Sequence, residues 1–265
     1  MKKISLISVF PLFLFILFGL SSCQTVRNVH NDAIDMGFLK NKGDGNTNLV
    51  FDVNSKTAGI NGSVIYSPAE NVLLGAGISA FSYKLFDDNS EYNDLNLVED
   101  VGRLKGYKAR ANIGYYDNFG QTGKGYFESM LTLAYGSNVL RLVDLYNPDN
   151  LVFKYKYDPF SFGLQFGVGR NSDNVSLMGG LKFQRYLFGK QIPVYRNYND
   201  AIITVEGISI FQIFYGMRFG KGPVKGNFQI NVSINPNDYN DSVIEPYPGF
   251  SFGVTYAFGR KKKDI

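Results

Sequence analysis

The stretch VKGNFQINVSI, residues 224–234, alternates without a break. Val224, Gly226, Phe228, Ile230, Val232 and Ile234 fall on one side of an extended chain, and Lys225, Asn227, Gln229, Asn231 and Ser233 on the other. A period of two is that of a β-strand with unlike faces. Such a strand belongs either to a soluble barrel or sandwich, apolar side inward, or to a membrane barrel, apolar side outward against lipid. Which arrangement applies decides the fold.

The pattern recurs along the chain. Phe250, Phe252, Val254, Tyr256 and Phe258 oppose Ser251, Gly253, Thr255 and Ala257. Tyr107, Ala109, Ala111 and Ile113 oppose Lys108, Arg110 and Asn112. Residues 127–135, 160–168 and 175–184 alternate in the same way, and weaker alternation covers 47–54, 57–66, 71–85 and 202–219. These segments make about ten strands, while no segment after Cys23 sustains a helical period.

Three features favour the membrane arrangement. The apolar faces carry large aromatics at strand ends, as interfacial girdles require. The polar faces are small and Gly-rich, which suits a narrow lumen. Connections also alternate in length: 67–71, 117–125, 171–174 and 220–223 are short, whereas 86–105, 138–152, 187–200 and 235–248 are long and polar. Short periplasmic turns and long outer loops produce that rhythm. Lys108 and Arg110 set the register, since turning them to mid-membrane lipid costs about 2–4 kcal/mol each. The expected fold is therefore all-β: one antiparallel transmembrane β-barrel of about ten strands over residues 46–259, with eight strands the nearest alternative. With ten strands, both barrel ends lie on the periplasmic side.

The front of the chain is of another kind. Lys2 and Lys3 precede an uncharged, apolar run that ends Leu20-Ser21-Ser22-Cys23. A basic start, an apolar middle and small residues before a break read as a secretory signal over 1–22. The ending resembles the bacterial lipobox. That resemblance implies cleavage before Cys23 and covalent lipid on its thiol, and Gln24 after it favours the outer membrane. Residues 23–45 then form a lipidated tether from the inner leaflet. Cys23 is the only cysteine, which excludes an intramolecular disulfide.

The whole chain carries 27 basic and 23 acidic side chains, a net charge of +4. Without residues 1–22 it is +2, and the basic tail 260–265 holds +3 of that, so the remainder is near −1. The charge gives no argument for nucleic acid.

The final strand adds a second resemblance. Ser251, Gly253, Tyr256 and Phe258 resemble the C-terminal signal that outer-membrane barrels present to the barrel insertion machinery, although seven residues follow Phe258. As a whole the chain resembles the small lipid-anchored or porin-like outer-membrane β-barrel proteins of Gram-negative bacteria. The resemblance implies that location, outer-membrane lipid as surroundings and a surface partner of unknown kind.

Chemistry is sparse. The single histidine, His30, falls in the tether. No Ser-His-Asp set, His-based metal site or Cys nucleophile can be assembled in the barrel. The acids Asp87, Asp88, Glu91, Asp94, Glu99 and Asp100 read as a hydrated outer loop. Gly-Lys-Gly at 123–125 and at 220–222 lacks the Ser/Thr and helix of a phosphate loop and reads as turns. Asp241-Ser242-Val243 resembles a bacterial O-glycosylation acceptor at Ser242. No cofactor and no metal are expected.

The inward face is more informative. Lys108, Arg110, Lys182, Arg218 and Lys225 point in, against Glu128 and Glu206. Small barrels fill with side chains, so a salt-bridged polar plug is the first expectation and a narrow anion-preferring pore the second. The functional expectation is a non-enzymatic outer-membrane β-barrel lipoprotein with long outer loops and a surface or envelope role. The alternatives are the pore, and a soluble lipid-anchored barrel with inverted faces that carries an apolar ligand.

Overall fold

Ten antiparallel strands close on themselves in the computed structural model, which describes residues 33–54, 57–84, 100–144, 151–188, 192–196, 207–234 and 247–259. In chain order the elements are β1 (Gly45–Asn54), β2 (Thr57–Ala69), β3 (Val72–Lys84), β4 (Asp100–Phe119), β5 (Gly125–Asp144), β6 (Leu151–Tyr157), β7 (Pro159–Arg170), β8 (Val175–Phe188), β9 (Ile192–Arg196), β10 (Gly207–Phe219), β11 (Val224–Ile234) and β12 (Tyr247–Phe258). The wall runs β1-β2-β3-β4-β5-β7-β8-β10-β11-β12, and β12 returns to β1 in a continuous ladder from Gly45 opposite Phe258 to Asn54 opposite Gly249. Closure leaves no free sheet edge in the wall, the condition for strands to cross lipid.

The faces are those of a membrane barrel. Ile78, Tyr107, Phe252 and Val254 lie open on the outside, while Gln229, Ser251, Thr255 and Gln212 are fully buried on the inside. Inverted faces around an apolar interior, as a soluble carrier requires, do not occur. Among the described residues no helix is long and apolar enough to cross a membrane.

The short turns at 70–71, 120–124, 171–174 and 220–223 all lie at one end, with the start of β1 and the end of β12. Both Gly-Lys-Gly segments contribute to turns, with Gly123 and Gly222 in the left-handed region that glycine enters freely.

The other end departs from expectation. Strands β4 and β5 run for 20 residues each, against 13 for β3 and 12 for β7. Parts of the connections expected at 86–105 and 138–152 are thus strand. Two further strands stand there. The upper half of β5 pairs with β6, and β6 pairs with β9, beyond the level where β7 takes over as the neighbour of β5. A physical reason is visible in Val139 and Val143, β-branched residues that favour continuation of the β5 ladder.

Candidate functional site: a lumen closed by the chain itself

Residues 33–39, read from sequence as part of a tether, lie inside the barrel. Ala33, Ile34, Met36, Phe38 and Leu39 are all buried, as is Asp35. The segment has no strand pairing, so its backbone groups need partners inside. Lumen side chains supply them.

Six successive carbonyls each accept a bond from a different side chain of the wall. Gln229 Nε2 donates to Ile34 O at 2.9 Å, Gln165 Nε2 to Asp35 O at 2.7 Å and Arg218 Nη2 to Met36 O at 3.0 Å. Asn46 Nδ2 donates to Gly37 O, Asn171 Nδ2 to Phe38 O at 2.9 Å and Asn118 Nδ2 to Leu39 O at 3.1 Å. Three amides point outward to acceptors: Ile34 N to Gln229 Oε1 at 2.8 Å, Gly37 N to Glu128 Oε2 at 2.9 Å and Leu39 N to the Tyr126 hydroxyl at 3.3 Å. The barrel thus reads an unpaired backbone from several sides, with side-chain amides and one guanidinium drawn from β1, β4, β7, β10, β11 and the 171–174 turn.

Charge and shape fix the register of this strap. The Asp35 carboxylate accepts from Arg110 Nε at 2.7 Å, Arg110 Nη2 at 2.9 Å and Asn112 Nδ2 at 2.9 Å. Met36 sits where a side chain on Gly216 would be, and a Cβ on Gly37 would stand 2.8 Å from the Tyr126 hydroxyl and 2.9 Å from Leu73 Cδ1. Phe38 holds a left-handed φ of 46°, unusual for a bulky residue. Its ring is pinned by the Arg218 guanidinium at 4.9 Å and by Tyr126 at 5.5 Å. Around the strap lies an apolar cluster of Ile65, Leu73, Tyr116, Tyr126, Met130, Met178 and Phe214.

The strap is rooted at the short-turn mouth. Asp44 Oδ2 accepts from Lys40 N at 3.1 Å and Asn41 N at 2.9 Å, and Gly43 N donates to Ser67 O at 2.8 Å. Lys40 Nζ pairs with Asp173 Oδ1 at 2.7 Å on the 171–174 turn, and this pairing holds the Asp173 carboxyl below its ordinary range.

Of the lumen residues singled out from sequence, Lys108, Arg110, Glu128, Lys182 and Arg218 are buried on the inner face. Arg110, Glu128 and Arg218 hold the strap, whereas Lys108 Nζ meets the Tyr186 hydroxyl at 3.3 Å, higher in the barrel. Lys225 is different: it sits at the short-turn mouth, bonded to Asp173 O at 2.7 Å and half-exposed. In β12, Ser251 faces the lumen while Tyr256 and Phe258 face outward, their rings 6.5 Å apart. Cys23, His30, Asp87, Asp88, Glu91, Asp94, Glu99, Glu206, Ser242 and the tail 260–265 lie outside the described residues. Among the described residues, no group of three His, Cys, Asp or Glu side chains could hold a metal ion.

Alternation does not single out the strap: Ile34, Met36 and Phe38 alternate with Ala33, Asp35 and Gly37, but Leu39 breaks the pattern and the run is shorter than any strand of the wall. One signal was present. A run of apolar residues around a single acid, Asp35, is a poor composition for a solvated tether and a good one for a buried segment with one charged partner.

No protein-family model matches the chain, and comparison with curated proteins gives no match. Several solved structures match it at low scores. The translocator domain of the autotransporter NalP from Neisseria meningitidis is 12% identical, with a TM-score of 0.45, covering 81% of this chain and 87% of that one. The N-terminal β-barrel domain of Pseudomonas aeruginosa OprF is 10% identical, with a TM-score of 0.31, covering 82% and 98%. Ail, the attachment invasion locus protein of Yersinia pestis, is 9% identical, with a TM-score of 0.30, covering 82% and 99%. At these values the likeness carries no argument about this chain, whose barrel rests on its own strand pairing.

Proposed function

We propose that this protein is a non-enzymatic lipoprotein of the Gram-negative outer membrane, acylated at Cys23, whose barrel is sealed by its own N-terminal strap. Its role is then one of surface interaction or envelope structure, carried by the outer end of the barrel rather than by passage through it. The observation that supports this most directly is the set of six strap carbonyls, each bonded to a different side chain of the wall. A lumen that spends its polar groups on a resident peptide has few left for solutes. Ser251, Gly253, Tyr256 and Phe258 fit recognition by the insertion machinery, as one polar, one small and two outward aromatic positions.

The rival reading, a narrow anion-preferring pore, draws on Lys108, Arg110, Lys182 and Arg218, which are buried on the inner face. Two of them are engaged with the strap, so this reading requires the strap to leave. Single-channel recording on the refolded mature chain separates the two, after heat-shifted gel mobility has shown that the barrel folded. A silent bilayer is the expected result. Discrete steps that prefer chloride over potassium would replace the sealed barrel with the pore.

A further inference from the structure

The outward face of the tall β4–β5–β6 sector carries an unusual arrangement of charge. Arg103 of β4 lies directly opposite Arg141 of β5, and Arg141 directly opposite Lys154 of β6. The backbone register places Lys84 of β3 at the next position of the same row. One step nearer the barrel, Lys105 and Lys156 flank Val139 from its two sides. Opposed residues in an antiparallel pair share a face, as do residues two apart in one strand. Arg103, Lys105, Arg141, Lys154 and Lys156 therefore form one patch of five cations.

Like charges directly opposite each other destabilise a sheet. Nothing among the described residues offsets them: none of the five makes an ion pair or a side-chain hydrogen bond there. Asp158, two residues beyond Lys156, forms no ion pair with it. Arg103, Lys105, Arg141 and Lys156 are exposed and Lys154 half-buried.

Height on the barrel says which anion this face meets. The same outward face continues downward to Tyr107, opposite Ser137, and then to Tyr135, opposite Ala109. Tyr107 and Tyr135 are 63% and 57% exposed and begin the aromatic border of the apolar belt. Lys105 stands two residues above Tyr107 and Arg103 four, about 7 and 13 Å along the strand. By the length of its connections this is the outer end. Headgroup phosphates lie at that height.

We propose that this patch is a binding site for the phosphate groups of an anionic lipid of the outer leaflet. The two arginines present forked donors that match phosphate oxygens, and the three lysines add point charge. Three adjacent strands span about 10 Å, enough for two phosphates of one headgroup. The inference rests on the outer-membrane placement proposed above and not on the sealed lumen, so a conducting barrel leaves it intact.

The test uses the refolded mature chain in phosphatidylcholine nanodiscs with and without bisphosphorylated lipid A. The readouts are lipid A binding and its salt dependence. The triple variant Arg103→Ala/Arg141→Ala/Lys154→Ala is compared with Lys221→Ala, a single cation removed at the opposite end. Heat-shifted mobility checks that each variant is folded and inserted. The wild type and Lys221→Ala are expected to bind alike, and the triple variant to bind about a hundredfold more weakly, as loss of three surface cations predicts. Arg103→Lys/Arg141→Lys, which keeps the charge and loses the forks, is expected to fall between them. Equal binding by the folded triple variant would overturn the proposal. So would binding of inorganic pyrophosphate as tight as that of lipid A, since the ligand would then be free phosphate and not a headgroup.

Discussion

The Arg110 guanidinium meets the Asp35 carboxylate through two parallel bonds, at 2.7 and 2.9 Å, between a strand of the wall and a strap that enters from the short-turn mouth. Both side chains are nearly inaccessible to solvent. A buried pair that loses one member leaves the other charged and unpaired, at a cost of about 3–5 kcal/mol. Arg110→Ala and Asp35→Ala are therefore each expected to destabilise the folded chain in urea. The double variant should lose less than the sum of the two. Additive losses would mean that the pair does not act as a unit.

Met36 occupies the space beside Gly216, and Gly37 has no room for a Cβ. Gly216→Leu would put a side chain where Met36 now sits, with the strap sequence unchanged. Gly37→Val creates the same conflict from the strap side. Overpacking of this kind costs about 1–3 kcal/mol, and the strap can relieve it by leaving while the wall stays paired. Both variants are expected to keep the heat-shifted mobility of a folded barrel and to open discrete chloride-preferring currents. A silent bilayer from folded Gly216→Leu would show that the lumen stays closed without the strap in place.

How much of this was legible in the sequence differs by element. Strict alternation placed Lys108 and Arg110 on the inner face and Tyr107 and Ile113 on the outer one, because a membrane barrel must separate polar from apolar at every second residue. The strap was not legible by the same means. Ile34 and Gln229 are 195 residues apart and Met36 and Arg218 are 182 apart, and no local period records contacts over such distances. Strands β6 and β9 were hidden for a different reason. Lys154 and Lys156 alternate with Phe153, Tyr155 and Tyr157, but this short run falls between the connection expected at 138–152 and the strand expected at 160–168, and Ile192–Arg196 falls within the polar connection expected at 187–200.

Asp173 on the 171–174 turn accepts from Lys40 Nζ at the root of the strap, and that hydrogen bond is the main cause of its lowered pKa. A carboxyl depressed in the folded state contributes stability above its ordinary titration range. The contribution fades as pH falls through the folded value. Acidification below the ordinary aspartate range is thus expected to loosen the root of the strap by a small amount, since the pair is exposed. Hydrogen exchange at the Lys40 and Asn41 amides should rise at low pH in the wild type. In Asp173→Asn it should be raised already at neutral pH and change less. An identical pH response in both would assign the effect to another group.

The direction of the strap bears on the side from which the N-terminus is reached. Leu39 meets Tyr126 near the start of β5, at the short-turn mouth, whereas Ile34 meets Gln229 halfway along β11. Followed toward the N-terminus, the chain climbs away from the short turns, and Ala33 is still buried in the lumen. This is opposite to a tether that descends to the inner leaflet. A return past the strap would have to cross a lumen already filled by Met36, Phe38 and Leu39 with their partners. Cys23 precedes Ala33 by ten positions, and a chain of that length reaches at most about 33–36 Å when extended. That exceeds what remains of an apolar belt of about 25 Å. An epitope inserted after Gln24 is therefore expected to bind antibody on intact cells, with palmitate labelling of the wild type and of Cys23→Ser run alongside. Binding only after permeabilisation would mean that the chain turns back to the short-turn side, whatever the labelling shows about the lipid.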